Sequence, residues 1–307
     1  MRVVVAGLGV QGHKRHAAAG ADVVATVDPV HPKAKFKRLE DVPLASYDAA
    51  LLCIPDEPKL ALLTYLASNR KHALVEKPLF AESSRALEDL KRLAEKNRVA
   101  CYTAYNHRFE PHFVRMKETL DSGRLGRLYT LRMFYGNGTA RLVRDSAWRD
   151  QGAGVLPDLG SHLLDTVLFW LGRPVDGFKV HSARRFENRA FDHVTFGAPG
   201  DPLIQLEVTL LSWRNHHYTD VLAEKGSAHI SSLCKWGPSV FTLRDRKLPS
   251  GRPDEQSVPL EQPDPTWALE YEHFKRLCER GENNIANDIW INDTLADLTR
   301  QCSRFSS

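Results

Sequence analysis

The stretch Val3-Val4-Val5-Ala6-Gly7-Leu8-Gly9-Val10-Gln11-Gly12 is an apolar strand that runs directly into a G-x-G-x-x-G turn. In such a turn the first glycine permits the sharp bend, the second lets the backbone approach a pyrophosphate, and the third lets the following helix pack closely. Gly7, Gly9 and Gly12 occupy these positions. The helix would present the N–H groups of Val10–Gln11 and its positive dipole end to phosphates. The pattern predicts a dinucleotide-binding turn.

A second apolar run supplies the acidic residue that such a site requires. Val23–Val27 ends in Asp28, which lies 21 residues after Gly7. A carboxylate at this place would accept hydrogen bonds from the adenosine ribose diol, and its charge would repel a 2′-phosphate. The sequence therefore predicts NAD(H) as the cofactor in preference to NADP(H).

The composition is that of an ordinary globular protein. The chain has 307 residues, 42% of them hydrophobic and 26% charged, with a net charge of +4. This length suits two domains with their own cores. The positive residues are not gathered into a long run, and no apolar stretch reaches about 18 residues, so we expect neither a nucleic-acid partner nor a membrane span.

The cysteines and the N-terminus predict a cytoplasmic protein. The five cysteines are odd in number, form no C-x-x-C pair, and include Cys53 and Cys101 in apolar runs. Such cysteines behave as small hydrophobic residues in a reducing compartment. The first predicted strand begins at Arg2, which we interpret as leaving no room for a signal peptide.

Strand and helix signals alternate in the first hundred residues and predict a doubly wound parallel sheet, with a dinucleotide-binding domain over 1–104. The clearest helix is Ser84–Lys96. After Asp28 we expect only a loop or a single turn, because three prolines occur before the third strand. The predicted strands are near-continuous apolar runs, typical of strands covered on both faces: Arg2–Ala6, Val23–Val27, Ala49–Ile54, Ala73–Val75 and Val99–Thr103.

The pattern changes after Tyr105, and residues 105–307 are predicted to form a second, α+β domain. The proline- and charge-rich stretch Pro249–Pro265 is predicted to be a loop. Helices are expected over Pro111–Ser122, Pro157–Leu171, Thr266–Glu279 and Asp288–Cys302. Successive strand-like segments indicate an open antiparallel sheet: Phe178–Arg185, Leu203–Leu211, Thr219–Ala223, Ala228–Ser231 and Val240–Leu243.

Glu76-Lys77-Pro78 ends the predicted fourth strand. The carboxyl ends of strands in a doubly wound sheet face the ligand crevice. Lys77 is therefore a candidate to donate to a substrate hydroxyl and to stabilise developing alkoxide charge. An ordinary solvated lysine is the alternative.

Two further segments supply candidate substrate contacts. Tyr105-Asn106-His107-Arg108-Phe109 places several polar side chains where the chain leaves the first domain, and the alternative is a polar junction around a buried Phe109. Trp148 and Arg149 come just before a glycine-rich loop. They are candidates to contact cofactor or substrate, although a solvated arginine remains the alternative.

The segment Gly152–Asp165 carries the acid/base candidate. If Pro157 is the first helical residue, Asp158, His162 and Asp165 fall at i, i+4 and i+7 on one face. The dipole near the helix start favours an ionised carboxylate and a neutral imidazole. A neutral histidine can act as the general base for a secondary alcohol. The alternative is a His162 that only caps or packs.

Two other classes of site are not expected. No Cys or His set has metal-ligand spacing, and the adjacent His216 and His217 would point to opposite faces of a strand. No G-x-S-x-G elbow of a serine hydrolase occurs. We therefore expect no metal.

Taken together, these residues resemble the Gfo/Idh/MocA oxidoreductase family over nearly the whole chain. The resemblance implies a Rossmann dinucleotide-binding domain followed by an α+β domain with a large open, mainly antiparallel sheet, and a homodimer or homotetramer. It makes Lys77, Asp158 and His162 the catalytic residues and the Lys77–Pro78 peptide bond cis. It rests on the glycine turn, Asp28, the strand end Cys53-Ile54-Pro55, Glu76-Lys77-Pro78, Tyr105–Phe109 and Asp158-x-x-x-His162.

The resemblance also extends the cofactor contacts, and two departures affect them. The contacts it implies include Ile54, Pro55, Glu76 and Lys77 in addition to the glycine turn and Asp28. The family's strand end commonly reads Thr-Pro with a nearby histidine, whereas this chain has Ile54-Pro55-Asp56-Glu57. The segment after Asp28 is shorter than usual and predicts a more open adenine pocket.

The function implied is NAD-dependent hydride transfer to or from a secondary alcohol of a sugar, sugar nucleotide or cyclitol. Two alternatives stay open: a catalytically idle NAD(H)- or sugar-sensing regulator on the same fold, and an enzyme whose tightly bound cofactor cycles between two sugars. The chain keeps Lys77, Asp158 and His162, which favours the enzyme over the regulator.

Overall fold

A computed structural model describes residues 1–146 and 149–305. The chain forms two compact units: Met1–Asn106 with Pro265–Asp293, and His107–Asp264 with the residues from Thr294 onward. The predicted division at residues 104 and 105 differs from these units in residues 105–106 and 265–293, which sequence order places in the second domain.

The packing of residues 265–293 explains this difference. Tyr271 and Phe274 belong to the same buried apolar cluster as Val3 and Val5 of the first strand. A helix near the C-terminus thus completes the core of the N-terminal unit, a long-range pairing that local sequence patterns do not show.

The first unit contains a five-stranded parallel sheet in the order β2-β1-β3-β4-β5. Successive residues of its strands enter two different buried clusters, one on each face, which is why the strands read as continuous apolar runs. Its strands are β1 (Val3–Ala6), β2 (Val23–Val27), β3 (Ala49–Leu52), β4 (His72–Glu76) and β5 (Cys101–Ala104).

Helices cover both faces of this parallel sheet. Between Asp28 and β3 the chain forms two short 3₁₀ turns, Leu39–Asp41 and Leu44–Ser46, and no α-helix, so the predicted loop is confirmed. The helices of the unit are α1 (Val10–Ala19), α2 (Lys59–Ser68), α3 (Ser84–Asn97), α7 (Thr266–Arg280) and the first half of α8 (Ile285–Cys302).

The second unit contains an eight-stranded sheet in the order β13-β12-β11-β10-β6-β9-β8-β7 within the described residues. Neighbouring strands are antiparallel except β6 and β9, which run parallel. The strands are β6 (Leu128–Gly136), β7 (Lys179–Arg184), β8 (His193–Ala198), β9 (Leu203–Thr209), β10 (His216–Ala223), β11 (Gly226–Ser231), β12 (Ser239–Asp245) and β13 (Asp254–Leu260).

Three strands of this sheet differ from the predictions made from the sequence. The predicted loop over Pro249–Pro265 is wrong, because residues 254–260 form the edge strand β13 paired with β12. An edge strand needs no apolar face of its own, so charged residues and Pro259 are tolerated. The strands β6 and β8 were not predicted at all.

The helices of the second unit are α4 (Pro111–Asp121), α5 (Ala140–Arg144) and α6 (Ser161–Leu171). The continuous α-helix predicted over Pro157–Leu171 is wrong in its first turn, because residues 156–160 form a π-helical turn. Hydrogen bonds from i to i+5 widen such a turn, and π turns occur frequently at functional sites. The α-helical i, i+4 relation therefore does not apply between Asp158 and His162.

Candidate functional site

The glycine turn has the geometry that its sequence predicts. Gly7 has a φ of +88°, and a side chain there would meet the Cys53 carbonyl oxygen at 2.1 Å. A Cβ on Gly12 would lie 1.8 Å from the Gly7 carbonyl oxygen, so α1 packs directly on the turn. A Cβ on Gly9 would meet nothing within 4 Å. The turn thus leaves open space at the one glycine where a pyrophosphate is expected, and this fits a dinucleotide.

Asp28 is built into the same turn. Its Oδ2 accepts the backbone N–H of Leu8 at 2.8 Å, and its Oδ1 accepts those of Val30 at 2.9 Å and His31 at 2.8 Å. Burial alone would raise the pKa of Asp28, but these three hydrogen bonds outweigh burial and hold the pKa below its usual value. A carboxylate has about four acceptor positions. One therefore remains for a ribose hydroxyl.

Glu76 belongs to a buried charge cluster. Arg15 donates from Nε to Glu76 Oε1 at 2.7 Å, and its Nη1 lies 2.7 Å from Glu270 Oε2. The side chains of Arg15 and Glu270 are at most 1% exposed. Burial raises the pKa of Glu270 to about 7. The charge of Arg15 opposes this rise, and the nearby Glu76 carboxylate adds to it. The cluster anchors Glu76 to α1 and α7.

Lys77 follows β4 directly and is partly buried, and the Lys77–Pro78 peptide bond is cis, as the resemblance implied. Ile54 and Pro55 lie just beyond β3, in the loop that leads to α2. Both segments thus leave the carboxyl ends of neighbouring strands of the parallel sheet. This edge is where ligands of doubly wound sheets bind.

The segment after β5 supplies structural contacts at three of its residues. Tyr105 is buried, and Asn106 donates from Nδ2 to Thr266 Oγ1 at 2.9 Å within the first unit. In the second unit, Arg108 binds Asp165 through two bonds, Nε to Oδ2 at 2.8 Å and Nη2 to Oδ1 at 2.6 Å. The substrate-binding roles assigned to these residues stay predictions.

Asp158 lies in the π turn and is partly exposed, with Arg149 Nη2 at 3.5 Å from its Oδ2. Asp165, in contrast, is buried against Arg108, so the predicted shared face divides into an accessible and a structural carboxylate. Trp148, the other candidate from this part of the sequence, lies outside the described residues.

His162 lies in a buried aromatic cluster. Its ring stacks on that of His107, with centroids 4.1 Å apart and planes 19° from parallel. Tyr135 meets both rings, at 5.8 Å from His162 and 5.4 Å from His107. Lys235 Nζ lies 3.2 Å from His107 Nε2. An ammonium group can only donate, so His107 Nε2 accepts and the His107 ring is neutral beside Lys235.

Lys235 itself is held by a short anchored turn. Glu110 is buried, and it accepts the backbone N–H of Cys234 at 2.8 Å and the Cys234 thiol at 3.3 Å. Burial is the main cause of a raised pKa at Glu110, which the Cys234 hydrogen bonds oppose. Burial is the main cause that lowers the pKa of His217 to about 3, and the positive charge of Lys235 is the second.

Sequence analysis did not identify Tyr135 or Lys235. Tyr135 belongs to β6, where Leu131, Met133 and Tyr135 are buried at alternate positions, a signal that the sequence offers. Lys235 carries no local signal, because its place beside His107 depends on the pairing of β11 and β12.

Two classes of feature are absent from residues 1–146 and 149–305. This part of the chain contains no group of three or more Cys, His, Asp or Glu side chains arranged to hold a metal ion. Among the same residues, no helix has the length and apolar character needed to cross a bilayer.

Comparison with known proteins identifies similar sequences. Residues 113–229 match the GFO/IDH/MocA C-terminal domain. The chain is 24% identical over 328 residues to scyllo-inositol 2-dehydrogenase (NAD(+)) of Bacillus subtilis, covering 94% of this chain and 89% of that protein. An uncharacterised oxidoreductase of Schizosaccharomyces pombe is 28% identical, but the match spans only 42% of this chain and 35% of that protein.

Solved structures agree on the fold. A levoglucosan dehydrogenase in complex with NADH and L-sorbose superposes with a TM-score of 0.84 at 15% identity, covering 99% of this chain and 97% of that one. At this identity the likeness shows the shared fold, a parallel dinucleotide-binding sheet with a mixed, mostly antiparallel second sheet. The sequence motifs, the domain match over residues 113–229 and the fold all make this chain similar to the Gfo/Idh/MocA oxidoreductases.

Proposed function

We propose that the protein is an NAD-dependent dehydrogenase that acts on a secondary alcohol of a sugar, cyclitol or sugar nucleotide. The observation that carries this proposal is that this chain, which resembles the Gfo/Idh/MocA oxidoreductases, retains Lys77, Asp158 and His162 together. Relatives named as inositol and levoglucosan dehydrogenases support the enzyme over the idle regulator.

The cofactor assignment is supported by the glycine turn and Asp28. The space at Gly9 and the N-terminus of α1 would hold the pyrophosphate. The one acceptor position left on Asp28 would bind a ribose hydroxyl, and its charge disfavours NADP(H). Ile54, Pro55, Glu76 and Lys77 are the further contacts that we assign to the cofactor. When bound, NAD⁺ supplies the hydride acceptor.

Each residue of the proposed catalytic set has a distinct task. His162 would accept the proton of the substrate hydroxyl, and its stacking on a neutral His107 avoids a second positive ring beside it. Lys77 would donate to the same oxygen and offset its developing charge. Asp158 would accept a hydrogen bond from a neighbouring hydroxyl, with Arg149 holding its carboxylate.

Further substrate contacts, assembly and compartment belong to the same proposal. We assign substrate contacts to Tyr105, Asn106, Arg108, Trp148 and Arg149. A homodimer or homotetramer would cover the open sheet of the second unit. A cytoplasmic location agrees with five cysteines that are all free thiols.

The proposal is tested by incubating the protein with NAD⁺ and a panel of sugars, cyclitols and sugar nucleotides while NADH absorbance is followed. We expect turnover that falls about 10²- to 10⁴-fold in His162→Ala, the range for loss of a general base. His181→Ala, which alters an exposed histidine on β7, is the matched control and should stay active. Equal rates in the wild type and His162→Ala would contradict the assigned role.

A further inference from the structure

We infer that Lys59 is a positioning residue for Lys77, because its ammonium group binds the backbone on both sides of Lys77. The importance of Lys77 for turnover rests on the proposed function. The contacts that fix its backbone are observed independently of that function.

Lys59 is the first residue of α2, and its side chain is 2% exposed. Its Nζ donates to three oxygens: Glu76 O at 2.7 Å, Pro78 O at 3.0 Å and Asp56 Oδ1 at 2.6 Å. A lysine ammonium has three donors. All three are therefore committed, two of them to the carbonyl groups that flank Lys77.

The buried ammonium group of Lys59 is desolvated, and its hydrogen bonds to the backbone explain why a charged residue occupies this position. Burial lowers the pKa of Lys59, and the Asp56 carboxylate opposes this effect. An apolar side chain at this position would avoid the desolvation but would leave both carbonyl groups without this donor. Asp56, the third acceptor of Lys59, belongs to the segment Ile54-Pro55-Asp56-Glu57, where this chain departs from the family's usual strand end.

A second contact holds the same segment. Arg15 binds the carboxylate of Glu76, while Lys59 binds its carbonyl oxygen. Glu76 is thus fixed through both its side chain and its backbone, and Pro78 through its backbone. Lys77 itself lies beyond the last hydrogen-bonded pair of the strand, where the sheet no longer restrains it. These flanking contacts therefore restrain the backbone from which the Lys77 side chain projects.

The first experiment needs no substrate. Lysines of the intact protein are reductively methylated with ¹³C-formaldehyde, and the Lys77 signal is assigned by its loss in Lys77→Arg. We expect Lys59→Met to change the chemical shift or line width of that signal. Lys71→Met is the matched control. Lys71 also donates to a backbone carbonyl, that of Tyr47 at 2.7 Å, but it precedes the first residue of β4 and lies at the opposite end of that strand from Lys77. An unchanged Lys77 signal in folded Lys59→Met would overturn the inference.

The second experiment is a double-mutant cycle with Lys77→Ala. If Lys59 acts through Lys77, Lys59→Met lowers kcat by roughly 10- to 100-fold when Lys77 is present. The same substitution causes no further decrease in a chain that carries Lys77→Ala. Losses that multiply would mean a general structural role and would overturn the inference. Should Lys59→Met fail to fold, Asp56→Ala replaces it. Asp56 is 44% exposed, and this substitution removes one of the three oxygens that Lys59 binds.

The two experiments separate the inference from the proposed function. A Lys77→Ala variant with wild-type kcat would refute the proposed role of Lys77, and the NMR comparison would still decide whether Lys59 positions it. A slow Lys77→Ala variant with an unaltered Lys77 signal in Lys59→Met would keep the function and refute the positioning.

Discussion

Replacing the second and third glycines of the turn by alanine should separate cofactor binding from folding. A Cβ on Gly12 would lie 1.8 Å from a backbone oxygen, about 1.6 Å inside ordinary contact, and only a shift of α1 or of the turn could relieve it. Overpacking of this kind typically costs about 1–3 kcal/mol. We therefore expect Gly12→Ala to lower the free energy of unfolding by that amount.

Gly9→Ala should have the opposite pattern. Gly9 has φ −74° and ψ −166°, which alanine adopts readily, and its Cβ would meet nothing within 4 Å. Stability should change by no more than about 0.5 kcal/mol. The added methyl group would fill the space expected for the pyrophosphate, so the dissociation constant for NADH should rise at least tenfold, or about 1.4 kcal/mol.

Urea unfolding and fluorescence titration with NADH measure the two quantities. Gly177→Ala is the control, since a Cβ there also meets nothing within 4 Å and Gly177 belongs to the second unit. Wild-type NADH affinity in Gly9→Ala would refute the assignment of the turn to the cofactor. Wild-type stability in Gly12→Ala would refute the argument from close packing.

Three further substitutions test the buried charges by urea unfolding. The folded pKa of Glu270 is raised from 4.5 to about 7, so its stabilising contribution is complete below pH 4.5 and is lost as the pH rises through 7. Between pH 5.5 and 8.5 the free energy of unfolding of the wild type should therefore fall by on the order of 1–3 kcal/mol relative to that of Glu270→Gln. Parallel pH profiles of the two proteins would contradict this. Arg108→Met should lower the free energy of unfolding by about 3–5 kcal/mol, because it leaves buried Asp165 without this partner, and Asp165→Asn in the same chain should restore part of it. A decrease below about 1 kcal/mol would show that the ion pair does not stabilise the fold. Asp192→Asn should cost about 1.5–3 kcal/mol, because the buried carboxylate accepts the N–H groups of residues 186–188, and an unchanged midpoint would mean that these bonds contribute nothing.

The first unit could be predicted almost completely because its signals are local. Each strand of the parallel sheet is buried on both faces and reads as an apolar run, and the glycine turn and Asp28 have fixed spacing. What could not be predicted is the contribution of α7 to the core. Its amphipathic pattern shows that it is a helix but does not show which sheet it covers.

The second unit was predicted less well because its sheet depends on pairing. The edge strand β13 is mostly exposed and carries Asp254, Glu255 and Pro259, so its strand conformation comes from β12 rather than from its own composition. The π turn before α6 was missed for a related reason. Helical spacing assumes 3.6 residues per turn, whereas residues 156–160 form a wider π turn.

Three charged side chains of the first unit lie at or after the carboxyl ends of its strands. Asp28 lies at the end of β2, Lys59 after β3 and Glu76 at the end of β4, whereas the strands between them are apolar. Asp28 and Lys59 bind backbone groups near the sheet edge where ligands of this fold bind, and Glu76 binds Arg15 of α1. Replacing such groups by apolar residues of similar volume is often neutral or stabilising. Their presence is therefore better explained by the loop geometry that they impose than by stability, and variants that remove them should lose cofactor affinity or kcat even where they melt no earlier.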